Sequence, residues 1–256
     1  MKYICLFLIL ACMILTPVFA QAGEKPIIYY SFDAIEGDDV EDLSGFGNDG
    51  TLMKEPKSID GQTGSALEFE NNYVELVVSE SLNGDFFQSP FTLVVWINPK
   101  LTGNDWQAIF TSEGPPKARD TLFINKDARI SWRGRVAGNW AGGMCETDPG
   151  ILVADTWNHI AVVSDQKKFR VYANSDLVKE SDFQETDGGN EIHYLGDTPF
   201  SPGQFYSGAI DEFAIFTKPF TQTEIKSIMT SGIERFAVVE ACGKLATNWG
   251  DLKLGK

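Results

Sequence analysis

The chain has 256 residues, and its 36 acidic against 21 basic side chains give a formal net charge of −15 at pH 7. This acidic excess argues against binding to nucleic acid or to anionic membrane surfaces, and it is compatible with bound cations. The hydrophobic fraction of 43% is that of a globular protein, which excludes disorder as the main state.

The first twenty residues have the pattern of a secretory signal peptide. Lys2 precedes an unbroken apolar run from Ile4 to Leu15, and Ala20 supplies a small residue for cleavage. The run is shorter than the roughly 20 residues that a membrane-spanning helix needs. We therefore predict cleavage after Ala20, a secreted, cell-surface or periplasmic protein, and no integral membrane span after cleavage. A lipoprotein modified at Cys12 is the less favoured alternative, because the apolar run continues past that residue.

From residue 27 onwards, short runs of β-branched and aromatic residues are separated by Gly, Asn, Asp and Pro, which is typical of β-sandwiches and jelly rolls. The clearest predicted strands are Ile27–Phe32, Ala66–Glu70, Tyr73–Val78, Phe91–Asn98, Ala108–Ser112, Thr121–Ile124, Arg129–Val136, Trp157–Ser164, Lys168–Ala173 and Ala209–Phe216. The sequence therefore predicts an all-β fold, a two-sheet antiparallel jelly-roll sandwich with one short C-terminal helix.

The predicted helix follows the last strand. Thr221 and Glu224 have the spacing of a capping box, in which each side chain binds a free backbone amide at the start of a helix. Ile225 and Ile228 then recur at helical spacing, and Gly232 is a suitable stop. We place one domain at residues 21–236 and a C-terminal extension at residues 237–256.

Five segments in the right order resemble LamG-like (concanavalin A-like) jelly-roll domains of the bacterial secreted type. They are Ile28–Leu52 with its Asp-Leu-Ser-Gly stretch, Gly64–Leu76, Phe91–Ile97, Trp157–Ala161, and Gly208–Phe216 followed by the start of the helix. The resemblance covers roughly residues 27–232. It implies a concanavalin A-like sandwich, a fold that hosts binding domains as well as enzymes.

An acidic, glycine-rich segment near the start of the domain contains candidate calcium ligands. Asp33, Asp42, Asn48 and Asp49 combine carboxylate and amide oxygens, and the nearby glycine turns expose carbonyls, which is the mixture that Ca²⁺ takes. The resemblance implies that Asp211 of the closing strand joins them in a structural calcium site. The alternative is that these residues only form turns in a solvated loop.

Aromatic and cationic residues around the middle strands are candidate ligand-binding residues. Trp106 and Trp140 each lie within a few residues of Asn and Gly, and Arg133 and Arg135 alternate with Trp132 on one strand. Because successive strand residues point to opposite faces, both arginines face away from Trp132, which we assign to the core. We predict Trp106, Arg133, Arg135 and Trp140 as ligand-binding residues, with packing in the sandwich as the alternative for each tryptophan.

No catalytic constellation is convincing in the sequence. Glu36, Asp38 and Glu41 fit the E-x-D-x-x-E pattern of one glycoside hydrolase family, but the segment lacks the alternation of a strand, and we interpret the match as chance. His159 lies between Trp157 and Ile160 in a predicted strand, which favours packing over catalysis. No Ser-His-Asp order, paired-histidine zinc motif or nucleotide-binding loop is present.

These observations predict a secreted, non-catalytic recognition domain that binds a glycan or an extracellular protein at the loop rim, with a structural calcium ion. A glycoside hydrolase or lyase on the same fold is the first alternative, and a structural or surface-assembly protein is the second. Export would permit a disulfide between Cys145 and Cys242, although the sequence leaves their pairing open.

Overall fold

A computed structural model describes residues 25–101, 105–114, 118–197, 199 and 203–236. The predicted signal peptide, the predicted C-terminal extension and Cys242 lie outside these residues, so cleavage, export and the pairing of Cys145 stay predictions. Within the described part of the chain, no helix combines the length and the apolar character needed to cross a bilayer.

The described residues form short antiparallel strands and one regular helix. The strands are β1 Ile28–Tyr30, β2 Ile35–Glu36, β3 Asp39–Val40, β4 Gly50–Met53, β5 Lys57–Asp60, β6 Ser65–Glu70, β7 Tyr73–Val77, β8 Phe91–Pro99, β9 Trp106–Gly114, β10 Ala118–Asn125, β11 Ile130–Val136, β12 Asn139–Glu146, β13 Asn158–Ser164, β14 Lys168–Ala173, β15 Asp176–Asp182, β16 Ile192–Leu195 and β17 Ser207–Phe216. The helix is α1, Gln222–Ser231, and a 3-10 turn covers Phe86–Gln88.

Two sheets make up the sandwich, and every pairing between these strands is antiparallel. The first sheet has the order β15-β14-β13-β8-β17-β6-β5, with β1 also paired to β17, and the second has the order β12-β11-β10-β9-β16-β7-β4-β3-β2. The chain crosses between sheets repeatedly, so sequence neighbours such as β7 and β8 lie in different sheets. The predicted jelly-roll sandwich is confirmed.

The main core lies between the two sheets. Its largest fully buried side chains are aromatic and include Phe91 and Phe213 from the first sheet with Phe110 and Trp132 from the second. Phe91 and Trp132 contact each other across the sandwich with ring centroids 5.2 Å apart. Alternation along β11 therefore places Trp132 inside, as predicted, and turns the residues on either side of it outward.

Helix α1 covers the outer face of the first sheet. Its Ile225 and Ile228 are buried against Phe216 and other outward-facing apolar residues of that sheet. The predicted capping box is present, since the Thr221 hydroxyl accepts from the Glu224 amide while the Glu224 carboxylate accepts from the Thr221 amide. Gly232 is the C-cap, as its position predicted.

All ten predicted strands are present, with ends shifted by at most a few residues. Strands β2 to β5, β12, β15 and β16 were not predicted from the sequence. These strands are short, or they carry polar and glycine residues without apolar alternation, so tertiary pairing rather than local preference places them in the sheets.

Candidate functional site

The aromatic and cationic candidates come together on the outer face of the second sheet, at the end formed by β9 to β12. Trp106 begins β9, Arg133 and Arg135 lie on β11, and Trp140 lies on β12 opposite Arg135. Arg119 and Phe123 of β10 occupy the same face. We call the six residues Trp106, Arg119, Phe123, Arg133, Arg135 and Trp140 the Trp–Arg face.

Ring contacts join this surface into one layer. The Arg133 guanidinium lies 3.8 Å from the centroid of the Trp106 ring, within cation–π range. The guanidinium groups of Arg119 and Arg135 each lie 5.3 Å from the Trp140 ring. Phe123 lies between the two indoles, with centroid distances of 5.9 Å to Trp106 and 6.2 Å to Trp140. The side chains therefore support one another in fixed positions while Trp140 stays 40% exposed.

Two glutamates neutralise two of the three arginines. Arg119 forms a buried ion pair with Glu113 of β9. Arg133 donates to Glu146 of β12 over 2.6 Å and to the Ser131 hydroxyl over 3.0 Å. Partial burial opposes ionisation of Glu146, but its bonds to Arg133 outweigh this and lower the pKa of its carboxyl group.

Arg135 is different from its two neighbours. In the described part of the chain it has no carboxylate partner, and its Nε is buried without a hydrogen-bond partner. Burial lowers the pKa of the Arg119 guanidinium, Glu113 acts in the opposite direction, and the charge of Arg135 lowers that pKa further. The two guanidinium groups are thus close enough to repel each other beside one indole.

Beneath these side chains lie two buried threonines of neighbouring strands. Thr111 and Thr121 are directly paired across β9 and β10, and both hydroxyls lack a hydrogen-bond partner among the described residues. The prediction of a ligand site at the loop rim differs from this arrangement, since the candidate residues lie on strands of a sheet face. Phe123 was missed, although the alternation of Arg119, Thr121 and Phe123 along β10 could have indicated it.

A second group of charges lies where β17 meets the turn before β6. The Asp33 carboxylate accepts from the Ser65 amide over 2.7 Å, and the Asp211 carboxylate accepts from the Thr63 amide over 3.0 Å. Both carboxylates therefore bind the same turn, which is closed by a hydrogen bond from the Gly61 amide to the Gly64 carbonyl. We call Asp33, Asp211 and Glu212 the acidic cluster.

The carboxylates of the acidic cluster interact with one another. Burial raises the pKa of Asp211 to about 6, and the charge of Asp33 acts in the same direction against the bonds from backbone amides. Burial also raises the pKa of Glu212 to about 7, with Asp211 and Asp33 adding to the effect and the Tyr29 hydroxyl opposing it. The Tyr29 hydroxyl donates to Glu212 over 2.9 Å. The cluster therefore combines the exposed Asp33 with the buried Asp211 and Glu212, and none of the three forms an ion pair within the described part of the chain.

The remaining predicted calcium ligands have other partners. Asp42 accepts from the amides of Tyr29, Ser44 and Asn48 and from the Ser44 hydroxyl. Asp49 accepts from the Asp42 amide over 2.8 Å, and the Asn48 amide group donates to the Ile27 carbonyl. These three residues close the loop between β3 and β4 by hydrogen bonds, whereas Asp33 and Asp211 meet at the turn.

In the residues that the structure describes, no three His, Cys, Asp or Glu side chains form a metal-binding group. Calcium at the acidic cluster would therefore need backbone carbonyls or water beside Asp33 and Asp211, which is a donor set that Ca²⁺ accepts. The residues present fit such a weak, oxygen-only site. The set of five predicted ligands is thereby reduced to two that share a location.

His159 is packed in the first sheet, as its sequence context predicted. It is 1% exposed, its ring meets Trp96 edge-on at 5.1 Å, and burial lowers its pKa to about 3. His159, Trp96 and Glu212 line a cleft of about 230 Å³ beside the end of α1. Glu36 and Asp39, from the hydrolase-like segment, pair on the exposed β2–β3 hairpin.

Residues 69–226 match the family model of the concanavalin A-like lectin/glucanases superfamily. The chain belongs to this superfamily. The match includes the whole Trp–Arg face, together with Asp211 and Glu212, and Asp33 precedes it. No curated protein matches the chain.

Solved structures share this fold at low sequence identity. Domain 4 of AbnA, an extracellular arabinanase from Geobacillus stearothermophilus solved with arabinotriose, is 20% identical with a TM-score of 0.63, over 80% of this chain and 98% of that domain. The binding domain of Paraclostridial mosquitocidal protein 1 is 20% identical with a TM-score of 0.62 over 81% of this chain, which spans 52% of that structure. Trypanosoma rangeli sialidase is 14% identical with a TM-score of 0.58, over 81% of this chain and 33% of the enzyme.

Proposed function

We propose that this domain is a non-catalytic carbohydrate-recognition module that binds an oligosaccharide on the Trp–Arg face. The observation that carries the proposal is the pair of indoles of Trp106 and Trp140, which pack against the buried Phe123 and have guanidinium groups held against both rings. Sugar rings present apolar C–H faces that stack on aromatic rings, and arginines donate hydrogen bonds to the hydroxyl groups at their edges. An apolar surface with a few polar groups of fixed orientation is the general form of a ligand site.

The strands that carry these residues also favour binding. Side chains that are already fixed by packing lose little conformational entropy when a ligand is bound. Arg133 is held by Trp106, Ser131 and Glu146 together, and its position is set before any ligand arrives. Sites on strands are also more rigid than sites on loops.

The arabinanase domain solved with arabinotriose supports a carbohydrate ligand as a class, because the same fold carries a sugar complex in that protein. At 20% identity it supports nothing about which sugar this chain binds. We infer the ligand class from the Trp–Arg face itself.

A glycoside hydrolase is less well supported by the carboxyl groups of this face. Its general acid must hold a proton near neutral pH, and a raised pKa serves that role. Glu113 and Glu146 are instead paired with Arg119 and Arg133, and the pKa of Glu146 is lowered. Two arginine-bound carboxylates suit a binding surface better than acid catalysis.

We further propose that Asp33 and Asp211 bind a structural calcium ion together with oxygens of the 61–65 turn. Burial of the Asp211 carboxylate is costly, and a cation shared with the exposed Asp33 would offset that cost. Export would expose the domain to calcium at concentrations that fill extracellular sites, whose dissociation constants are about 10⁻⁴ to 10⁻³ M. The ion would stabilise the turn and would not take part in chemistry.

A glycan array probed with the full mature chain tests the carbohydrate proposal. We expect binding to a defined group of glycans, and loss of that binding in the Trp106→Ala/Trp140→Ala double variant. The control is Leu177→Ala, which removes another exposed apolar side chain from the edge of the first sheet. An empty array for the wild-type chain would overturn the proposal and favour a protein partner instead.

A further inference from the structure

We propose that the glycan bound on the Trp–Arg face is anionic, and that Arg135 pairs with a carboxylate or sulfate group carried by its sugar rings. The inference rests on the proposed carbohydrate function and names the class of ligand for the same site. On this face one arginine, Arg135, has no carboxylate partner among the described residues.

Most charged side chains on the outward positions of β9 to β12 form ion pairs. Glu113 pairs with Arg119, and Glu146 pairs with Arg133 and, over 3.6 Å, with Arg129. Arg135 lies on β11 opposite Trp140 and has no carboxylate partner in the described part of the chain. Asp187 comes near the same hairpin, but its two carboxylate oxygens accept from the amides of Ala137 and Gly138.

The position of Arg135 makes its lone charge costly. Its guanidinium and that of Arg119 lie at the same distance from the Trp140 ring, and they repel each other there. Its Nε is removed from solvent and has no acceptor among the residues that the structure describes. A bound oxyanion would relieve both costs, because a guanidinium presents parallel N–H donors that match a carboxylate or sulfate group.

The positive charge of Arg135 contrasts with the negative net charge of the whole chain. A protein with a net charge of −15 repels polyanions at long range, so an anionic glycan is not attracted to its surface in general. Binding of such a glycan requires a local site that overcomes the repulsion. The stacked arrangement of Arg135 and Trp140 supplies one, with the indole for a ring face and the guanidinium for its charged substituent.

The test uses an array that contains oligogalacturonates and alginate fragments as carboxylate glycans, chondroitin sulfates as sulfated glycans, and arabinan, galactan and cellulose fragments as neutral glycans. We expect the bound glycans to be anionic, and the carboxylate and sulfate arms identify which oxyanion is preferred. Binding confined to neutral glycans would overturn this inference and leave the proposed function intact. Binding to no glycan would overturn the proposed function itself, and this inference with it.

Variants then assign the selectivity to Arg135. Calorimetric titration of the best anionic glycan should show at least a tenfold weaker affinity for Arg135→Gln, and an intermediate loss for Arg135→Lys, which keeps the charge without the fork. The matched control is Arg170→Gln, because Arg170 is ion-paired with Asp165 and Glu180 in the first sheet. Equal affinities for wild type and Arg135→Gln, with an unchanged melting temperature, would contradict the assignment.

Discussion

The acidic cluster and the Trp–Arg face carry partly buried charges of opposite sign, and different groups contact the charges in each region. At the acidic cluster, backbone amides of one tight turn surround the carboxylates of Asp33 and Asp211. At the Trp–Arg face, side chains on rigid strands hold the guanidinium groups against aromatic rings. The first arrangement suits a small ion, whereas the second suits a flat, extended molecule.

The two regions also differ in packing and in exposure to solvent. A Cβ atom at Gly61 would lie 2.6 Å from the Asp211 carboxylate, so the turn fits tightly against the cluster. On the Trp–Arg face, Trp140 is 40% exposed, and the buried hydroxyls of Thr111 and Thr121 have no hydrogen-bond partner within the described ranges. We therefore interpret the acidic cluster as part of the framework of the domain and the Trp–Arg face as its binding surface.

Calcium should give the largest effect, and it should act on the acidic cluster alone. A ligand at 100 times its dissociation constant stabilises the native state by about 2.7 kcal/mol. For a domain of this size each kcal/mol raises the melting temperature by about 2–4 °C, so calorimetry in excess calcium and in chelator should differ by several degrees.

The control for that experiment is the Asp33→Asn/Asp211→Asn double variant, which should lose the calcium response. Asp42→Asn is not a suitable control, since Asp42 accepts four hydrogen bonds, from Tyr29 of β1 and from Ser44 and Asn48 of its own loop. An unchanged melting temperature for the wild-type chain would remove the calcium proposal and leave the carbohydrate proposal standing.

Substitution of Gly64 by Ala should destabilise the domain by about 2 kcal/mol, from backbone strain and a collision together. Gly64 has a φ of +57°, and its Cβ would collide with the Asp33 carboxylate. Gly37→Ala is the matched control, because its φ of +67° is similar but nothing lies within 4 Å of its Cβ. Denaturant unfolding should show a clearly larger loss for Gly64→Ala, and equal losses would mean that the turn does not pack against Asp33.

Replacement of Glu212 by Gln should change how stability depends on pH. The folded carboxyl group has a pKa of about 7, above the ordinary value of 4.5, so its contribution to stability falls as pH rises from about 4.5 to about 7. The variant should therefore be more stable than wild type at pH 8, by about 1–2 kcal/mol, and nearly equal to it at pH 4. Unfolding curves in chelator measure this, and a variant that is less stable at pH 8 would contradict the burial argument.

Substitution of Thr121 by Val should give the smallest effect and should raise stability, by about 1 kcal/mol, because a buried hydroxyl without a partner costs free energy. The matched control is Thr147→Val, whose hydroxyl accepts from the Ile130 amide and donates to the Asp148 carbonyl. That variant should lose about 1 kcal/mol. If both variants lose stability equally, the hydroxyls of the Trp–Arg face have partners in solution.

Local patterns in the sequence were sufficient to predict the framework. Alternation along β11 assigned Trp132 to the core and Arg133 and Arg135 to the opposite face, and the spacing of Thr221 and Glu224 predicted the capping box. Strand β12 was missed because Gly142 and Gly143 interrupt a polar segment. Its place in the sheet depends on pairing with β11 rather than on its own residues.

The two charged regions could be predicted only in part. The residue types indicated oxygen ligands for calcium, but only hydrogen-bond partners reveal that Asp42, Asn48 and Asp49 close a loop while Asp33 and Asp211 share a turn. The place of Asp211 beside Asp33 followed from resemblance to a family. The lone charge of Arg135 depends on which glutamate pairs with which arginine, and strand register decides that.

Nuclear magnetic resonance of the ¹⁵N-labelled indole groups tests the central claim, that the ligand binds on the Trp–Arg face and not at the acidic cluster. Trp106 and Trp140 report on the face, and Trp96 lines the cleft beside Glu212 in the other sheet. On titration with a glycan that the array identifies, we predict that the indole signals of Trp106 and Trp140 shift while that of Trp96 stays unchanged. A shift at Trp96 with none at Trp106 or Trp140 would contradict the account.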